Sequence, residues 1–211
     1  MIVTDVTEHG KSKYKIYVDH EFAFVLYKGE LHKYSIQKDH EISPEIYREL
    51  TEQILPKRAK LRAMNLLTKR PYTEQQLRQK LQEGLYGQRY IDIALEYVSS
   101  FGYIDDEAYA RDYITYHAVT DSYKNIERKL MQKGIDAKIV HRIFAEVSAG
   151  DPKDYEREQI RTLFMKKYKG IIPGNPAEKS KMLNFFLRKG YSVSKVRAAL
   201  EEISFDEVTF T

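Results

Sequence analysis

Lysine and arginine are the residues of this sequence whose spacing most favours a binding function. Lys80 and Lys129 are separated by 49 residues, which is also the separation of two copies of an apolar pattern described below. Cations that recur along a path bind a polyanion, because phosphate recognition needs little more than spaced positive charges. We therefore predict that basic residues form a binding surface, with these two lysines foremost. The candidates are Lys69, Arg70, Arg78, Lys80, Lys124, Arg128, Lys129, Lys133, Lys167, Arg188 and Lys189.

Two of these lysines have an alternative, structural explanation. Lys133 and Lys189 each precede a glycine at the expected end of a helix, where the helix dipole stabilises a cation with or without a partner. The alternative carries less weight for Lys80 and Lys129. The seventeen tyrosines are interpreted mostly as core residues, although some could stack on bases or anchor an interface.

The sequence contains no residue pattern typical of catalysis or metal binding. The absence of cysteine excludes disulfides, thiol catalysis and thiolate metal sites, and the six histidines show no HExxH or similar spacing. The acidic run Asp105-Asp106-Glu107 is better interpreted as a helix start, where carboxylates cap free amides. There is also no Walker loop, GxGxxG motif or nucleophile elbow. We therefore expect neither enzyme activity nor a cofactor.

The composition is that of a protein with a core and a well-hydrated surface. The 211 residues are 42% hydrophobic and 31% charged, with a net charge of +4. The sequence has no apolar run long enough to span a membrane, and its first residues lack the pattern of a secretory signal. We expect a cytoplasmic monomer. Charge is uneven: residues 56–104 have nine basic against four acidic side chains, and residues 1–55 have seven against ten. A basic array behind an acidic start fits an anionic partner.

An apolar pattern recurs three times along the chain. Seven apolar positions recur without a gap after 49 residues, and six of them recur again after 56. Recurrence at a fixed period indicates an array of similar units that bury their apolar faces against one another, so we assign these positions to the core. The copies are Leu77, Leu81, Tyr86, Tyr90, Ile91, Leu95 and Val98; Ile126, Leu130, Ile135, Ile139, Val140, Phe144 and Val147; and Met182, Phe186, Tyr191, Val196, Leu200 and Ile203.

The predicted fold class is mainly α, with three tandem three-helix repeats in an elongated curved array. A small antiparallel β region and a helix come first, because strand-like alternation is followed by Ser43-Pro44, an N-cap and a first-turn proline. Pro56 should interrupt or restart that helix. The predicted divisions are 1–55, 56–104, 105–150 and 151–211, the last of which includes a C-terminal tail.

A short turn joins the second and third helices of each repeat. Gly134 and Gly190 fit the left-handed residue that commonly ends a helix. Leu85 is at the aligned position of the first repeat, so we expect the turn there to have a somewhat different geometry. The residues expected to cap helices are Thr73, Asp121, Asp136, Asp151 and Asn175.

Three segments of the sequence together resemble the RecX regulatory proteins. They are similar to the family's first-repeat signature, its junction into the second repeat and its second-repeat signature. The resemblance spans 56–147 and extends weakly to about residue 203, and residues 1–55 resemble the N-terminal extension of RecX proteins from Gram-positive bacteria. The segments are Arg70-Pro71-Tyr72-Thr73 with Leu77 and Lys80-Leu81; Phe101-Gly102-Tyr103-Ile104-Asp105-Asp106-Glu107 with Tyr109-Ala110; and Ile126 and Leu130 with Lys133-Gly134-Ile135-Asp136.

This resemblance implies a non-enzymatic modulator of RecA, the recombinase that polymerises on single-stranded DNA. It implies binding along the groove of the RecA–DNA filament, restraint of RecA ATPase and strand exchange, and so an effect on recombinational DNA repair and the SOS response. Direct binding of single-stranded or double-stranded DNA is a weaker expectation. Two departures affect it: His117 and Ser122 stand where the family often has arginine and glycine.

The alternative function is that of a DNA-binding helical-repeat protein that acts without RecA. Three-helix units can place a second or third helix in the major groove. The third helices of these repeats offer few side chains for reading bases, Arg89 and Arg142 among them.

Overall fold

The computed structural model describes the backbone of residues 1–118, 120–148 and 152–208, and the side chains of residues 1–118, 120–147 and 155–201. The chain divides into two units, Met1–Asp105 and Asp106–Thr211. This division lies one residue beyond the predicted end of the first repeat. Asp151, the expected cap of a helix in the third repeat, lies outside the described residues, as does the side chain of Ile203.

Three antiparallel strands form the start of the chain. They are β1 (Val3–Glu8), β2 (Lys13–Val18) and β3 (Glu21–Tyr27), paired in the order β1-β2-β3. The turn between β2 and β3 consists of Asp19 and His20, with positive φ angles of 48° and 70°. A turn of this hand matches the twist of the strands. The prediction of a small antiparallel β region before a mainly helical chain is confirmed.

The first unit continues with helices, and Pro56 shapes the longest stretch of them. A π-helical turn, Leu50–Ile54, ends two residues before this proline, and the Leu55 amide donates to the Leu50 carbonyl. The wider turn accommodates a proline ring that would otherwise clash with the preceding helical carbonyl, so the helical path continues. The helices are α1 (Lys28–Lys33), α2 (Pro44–Glu49), α3 (Leu55–Leu67), α4 (Glu74–Glu83) and α5 (Gln88–Ser100).

Side-chain caps fix the starts of several helices. Thr73 caps α4 in the predicted capping box, since its hydroxyl accepts from the Gln76 amide and the Gln76 side chain accepts from the Thr73 amide. In the second unit Ser122 caps α7 in place of the predicted Asp121, which is therefore a wrong prediction by one residue. The helices of the second unit are α6 (Asp106–His117), α7 (Tyr123–Met131), α8 (Ala137–Ser148), α9 (Pro152–Tyr168), α10 (Pro176–Arg188) and α11 (Val193–Val208).

The recurring apolar residues form the core, as predicted. Leu77, Ile126 and Phe186 have no exposed surface, and the other described members of the three copies are buried or half-buried. They belong to three clusters of buried side chains, one in the first unit and two in the second. Helices of nine to seventeen residues are marginal by themselves, so this burial stabilises them.

The turn between the second and third helices has the same hydrogen bond in all three repeats. Leu85, Gly134 and Gly190 have φ angles of 61°, 90° and 91°, so the turn at Leu85 differs somewhat in backbone geometry, as predicted. In each turn, the amide after this residue donates to a carbonyl five residues earlier, which is the hydrogen bond of a Schellman motif. These bonds are Tyr86 to Leu81 (3.2 Å), Ile135 to Leu130 (3.1 Å) and Tyr191 to Phe186 (3.1 Å).

The turn at Gly190 also contacts the second repeat. The Ser122 amide donates to the Lys189 carbonyl at 3.1 Å, and the Lys189 ammonium donates to the Thr120 carbonyl at 2.8 Å. A Cβ atom on Gly190 would lie 2.3 Å from Ser122 Oγ and 2.9 Å from Asn125 Cβ. The third-repeat turn therefore packs against the start of α7 at a distance that only glycine permits.

Substitution of Gly190 by alanine should destabilise the protein strongly. The new Cβ would add strain at positive φ and a clash with Asn125 Cβ, which cannot rotate away. We expect Gly190→Ala to lower the free energy of unfolding in urea by about 3 kcal/mol. Gly102→Ala is the control, because Gly102 also has positive φ (68°) but nothing within 4 Å of a Cβ; it should cost about 1 kcal/mol. Equal losses would contradict the close approach at Gly190.

Candidate functional site

The two candidate cations on α4, Arg78 and Lys80, each form ion pairs, and these pairs differ in strength. Arg78 donates to Asp92 at 2.7 Å and to Glu74 at 3.1 Å, and its side chain is one-quarter exposed. The hydrogen bond between Arg78 and Asp92 lowers the pKa of the Asp92 carboxyl and raises the pKa of the Arg78 guanidinium. Arg78 thus joins α4 to α5. Lys80 pairs with Glu83 at 2.5 Å on the surface, a pair that contributes little and can exchange for another anion.

Lys69 and Arg70 lie just after the end of α3, and both are exposed. The Arg70 guanidinium lies 3.8 Å from the centre of the Tyr72 ring, which is itself buried. Stacking holds the plane of the guanidinium while its N–H edges remain available to an anion. Lys69 makes no ion pair within the described residues.

Lys124 and Arg128 lie one turn apart on the same exposed face of α7. The Arg128 guanidinium donates to the amide oxygen of Asn125 at 2.8 Å, which fixes its direction without neutralising its charge. Lys124 has no carboxylate partner in the part of the chain that the structure describes. These two residues are therefore exposed cations on one helix face.

Lys129, by contrast, is tied to a carboxylate of its own unit. Its ammonium lies 2.5 Å from Asp121 Oδ2, and the Asp121 side chain is only 12% exposed. His117 Nδ1 is 3.8 Å from the same oxygen, and the His117 ring lies against Tyr113 with centroids 4.1 Å apart. Burial lowers the pKa of His117, and the nearby Asp121 opposes this shift. The cluster thus has a structural role, because removing Lys129 would leave a largely buried carboxylate without its cation.

The remaining candidates differ in whether other groups of the protein contact their charged ends. The Lys133 ammonium lies over the rings of Tyr109 and Tyr113, and Lys189 is bonded to the Thr120 carbonyl. These contacts give both lysines partners within the fold that differ from the predicted helix dipole. The Lys167 ammonium is 3.7 Å from the centre of the Phe185 ring, and Arg188 is exposed at the end of α10.

The eleven candidates are divided between the two units. Four belong to the first unit and seven to the second, and within each unit some stabilise the fold while others are exposed. Sequence reasoning also missed two exposed apolar residues, Met131 and Leu187, which are 52% and 41% exposed. The signal was present: they occupy the same position in the second and third repeats, where the first has Gln82, and they lie outside the core pattern.

Two other features are absent from the part of the chain that the structure describes. Among the described residues, no group of three or more histidine, aspartate or glutamate side chains is placed to hold a metal ion. The same residues contain no helix that is both long and apolar enough to cross a membrane.

Comparison with known proteins gives the family. Residues 59–97 match the model for the first three-helix domain of RecX. A regulatory protein RecX of Vibrio vulnificus is 30% identical over 141 residues, which cover 66% of this chain and 89% of the relative. The chain belongs to the RecX family. A RecX protein of Clostridium acetobutylicum is 25% identical over 196 residues, covering 92% of this chain and 91% of its own.

Solved RecX structures share the fold. The crystal structure of a regulatory protein RecX matches with a TM-score of 0.60 and 20% identity, over 95% of this chain and 98% of the other. RecX from Lactobacillus salivarius matches with a TM-score of 0.58 and 21% identity, over 72% and 98%. The predicted membership of the family is therefore confirmed, and the name of these relatives indicates a regulator and not an enzyme.

The two departures from the RecX pattern lie at the structural cluster around Asp121. Ser122 supplies the cap of α7, and its hydroxyl accepts from the Asn125 amide at 3.3 Å. His117, with its lowered pKa, is uncharged at neutral pH and adds no cation to this surface.

The equivalent lysines of the first two repeats should differ in their effect on stability. Lys129→Met keeps the aliphatic stem but leaves the Asp121 carboxylate without its cation. We expect it to lower the free energy of unfolding by about 1–3 kcal/mol. Lys80→Met, the matched control, removes only a surface pair and should cost at most about 0.5 kcal/mol. Urea unfolding followed by circular dichroism measures both, and equal losses would contradict a structural role for Lys129.

Stability should also fall in mild acid through His117. The pKa of His117 in the folded protein lies below the ordinary value of 6.5. As the pH falls, the unfolded chain therefore takes up a proton at this histidine before the folded protein does. This contribution to the free energy of unfolding is complete above about pH 6.5 and decreases as the pH falls. His117→Gln should therefore lose less stability than the unmodified protein between about pH 7.5 and about pH 5.5. Urea unfolding at both pH values provides the measurement, and an unchanged loss would contradict it.

Proposed function

We propose that this protein binds the RecA filament assembled on single-stranded DNA and restrains RecA ATPase and strand exchange. It acts as a non-enzymatic regulator of recombinational DNA repair and of the SOS response. The support is the membership of the RecX family over nearly the whole chain, together with the RecA-modulating role that the sequence resemblance implies.

The observation that carries this proposal is that exposed or partly exposed cations occur on two repeats. Lys69, Arg70 and Lys80 belong to the first repeat, and Lys124 and Arg128 to the second. A filament presents the same surface many times, so contacts that are individually weak can act together through a high effective concentration. Exposed charges also make such binding sensitive to salt.

The rival function, sequence-specific DNA binding without RecA, has less support. Arg142, one of the few candidates for reading bases, pairs with Glu107 at 2.5 Å and with Glu146 at 3.6 Å. An arginine held by two carboxylates has to give them up before it can donate to a base edge. Binding of DNA through phosphates alone would show little dependence on sequence.

The direct test is RecA ATPase on single-stranded DNA with this protein added well below the RecA concentration. We expect the rate to fall, and the inhibition to weaken as salt is raised. Lys80→Glu should reduce the potency by about fivefold, which corresponds to about 1 kcal/mol. Lys138→Glu, an equal change of charge at an exposed position outside the candidates, should have little effect. An unchanged ATPase rate with the unmodified protein would overturn the proposal.

A further inference from the structure

A cleft in the second unit brings exposed apolar and basic side chains together. It has a volume of about 490 Å³ and lies between α7, the end of α10 and the turn that follows α10. Its lining includes Lys124, Arg128, Met131, Leu187, Tyr191 and Ser192. All of these side chains belong to described residues of one unit, so the cleft is a property of that unit alone.

The apolar part of the cleft is provided by Met131 and Leu187. Both are about half-exposed although the core positions beside them, Leu130 and Phe186, are fully buried. Leu187 and Met131 occupy equivalent positions in two repeats, so the cleft presents one apolar residue from each. Methionine adapts its shape to a ligand readily, and two adjoining exposed aliphatic residues favour contact with another apolar side chain.

The charged part of the cleft is positive. Lys124 and Arg128 contribute two cations on one face of α7, and neither has a carboxylate partner within the described residues. Glu127 also lines the cleft and keeps its negative charge, but its carboxylate is held by His141 Nε2 at 2.6 Å on another helix, and the two cations still outnumber it. The charge therefore complements a ligand that carries carboxylate or phosphate groups.

The apolar lining of the cleft favours a ligand with carboxylate groups over one with phosphate groups. Single-stranded nucleic acid is held mainly by stacking of bases on aromatic faces, in addition to phosphate contacts. Tyr191 is the aromatic residue that lines the cleft, and it is 98% buried, with its hydroxyl bonded to Gln159 at 2.9 Å. Methionine and leucine offer no stacking face, but they fit the aliphatic side chains of a peptide.

We propose that this cleft docks a protein segment in which acidic residues flank an aliphatic side chain. The aliphatic side chain contacts Met131 and Leu187, and the carboxylates meet Lys124 and Arg128. From Lys124 to Met131 the helix rises about 10 Å, so the segment fits over about two helical turns. The inference rests on the proposed function, because it places the segment on the surface of the RecA filament.

The test uses the full chain, RecA filaments on single-stranded DNA, and free oligonucleotide as separate probes. Leu187→Ser and Arg128→Glu should each weaken binding to the filament about tenfold or more, measured by fluorescence anisotropy or by half-maximal inhibition of ATPase. Met165→Ser and Lys138→Glu are the matched controls, since Met165 is 47% exposed and neither residue lines the cleft. Circular dichroism checks that each variant is folded.

The outcomes separate the two proposals. Two results together support the docking cleft. Both cleft variants lose filament binding while the control variants keep it, and Leu187→Ser leaves the weak binding of oligonucleotide unchanged. Unchanged filament binding by the cleft variants overturns it and leaves the proposed function standing. If only Arg128→Glu loses filament binding, and it loses oligonucleotide binding equally, the cleft is a phosphate-binding surface. This result also overturns the inference. If the unmodified protein does not bind the filament, both proposals fail together.

Discussion

The left-handed residue after the second helix of each repeat is the constraint on which the rest of the structure depends. It reverses the chain so that the second and third helices can bury their apolar faces together, and short helices need that burial. In the third repeat this residue, Gly190, also lies against Ser122 and Asn125 of the second. One backbone conformation therefore determines both the packing inside a repeat and the contact between two of them. Leu85 adopts it at a cost in strain, because the packing on either side requires it.

Much of the fold could be predicted from the sequence because it depends on local patterns. The 49-residue period located the core, and Thr73 with Gln76 identified a helix start. The turn at Leu85 also differs somewhat, as predicted. A prediction failed where the partner of a side chain is not set by the local pattern. Asp121 was expected to cap α7, but the cap is Ser122, and the Asp121 carboxylate binds Lys129, eight residues away along the chain.

The binding surface was less predictable than the fold for the same reason. Lys80 and Lys129 are equivalent in the repeat, but a nearly buried carboxylate pairs with the second and a surface glutamate with the first. A lysine's availability depends on its partner, and that partner cannot be read from the period. Exposed Met131 and Leu187 carried a signal that sequence reasoning passed over, since apolar residues outside a core pattern are easily assigned to the core. Together with Lys124 and Arg128 they give the second unit a surface suited to a protein partner.

We propose that this protein contacts the RecA filament through protein, at the α7 face of the second unit. Photocrosslinking tests this most directly, with Met131→p-benzoylphenylalanine in the cleft and Met165→p-benzoylphenylalanine outside it, each bound to RecA filaments on labelled single-stranded DNA. We expect an adduct with RecA from position 131, much less from position 165, and no adduct with the DNA strand. Crosslinking to DNA alone, or equal yields from the two positions, would contradict it.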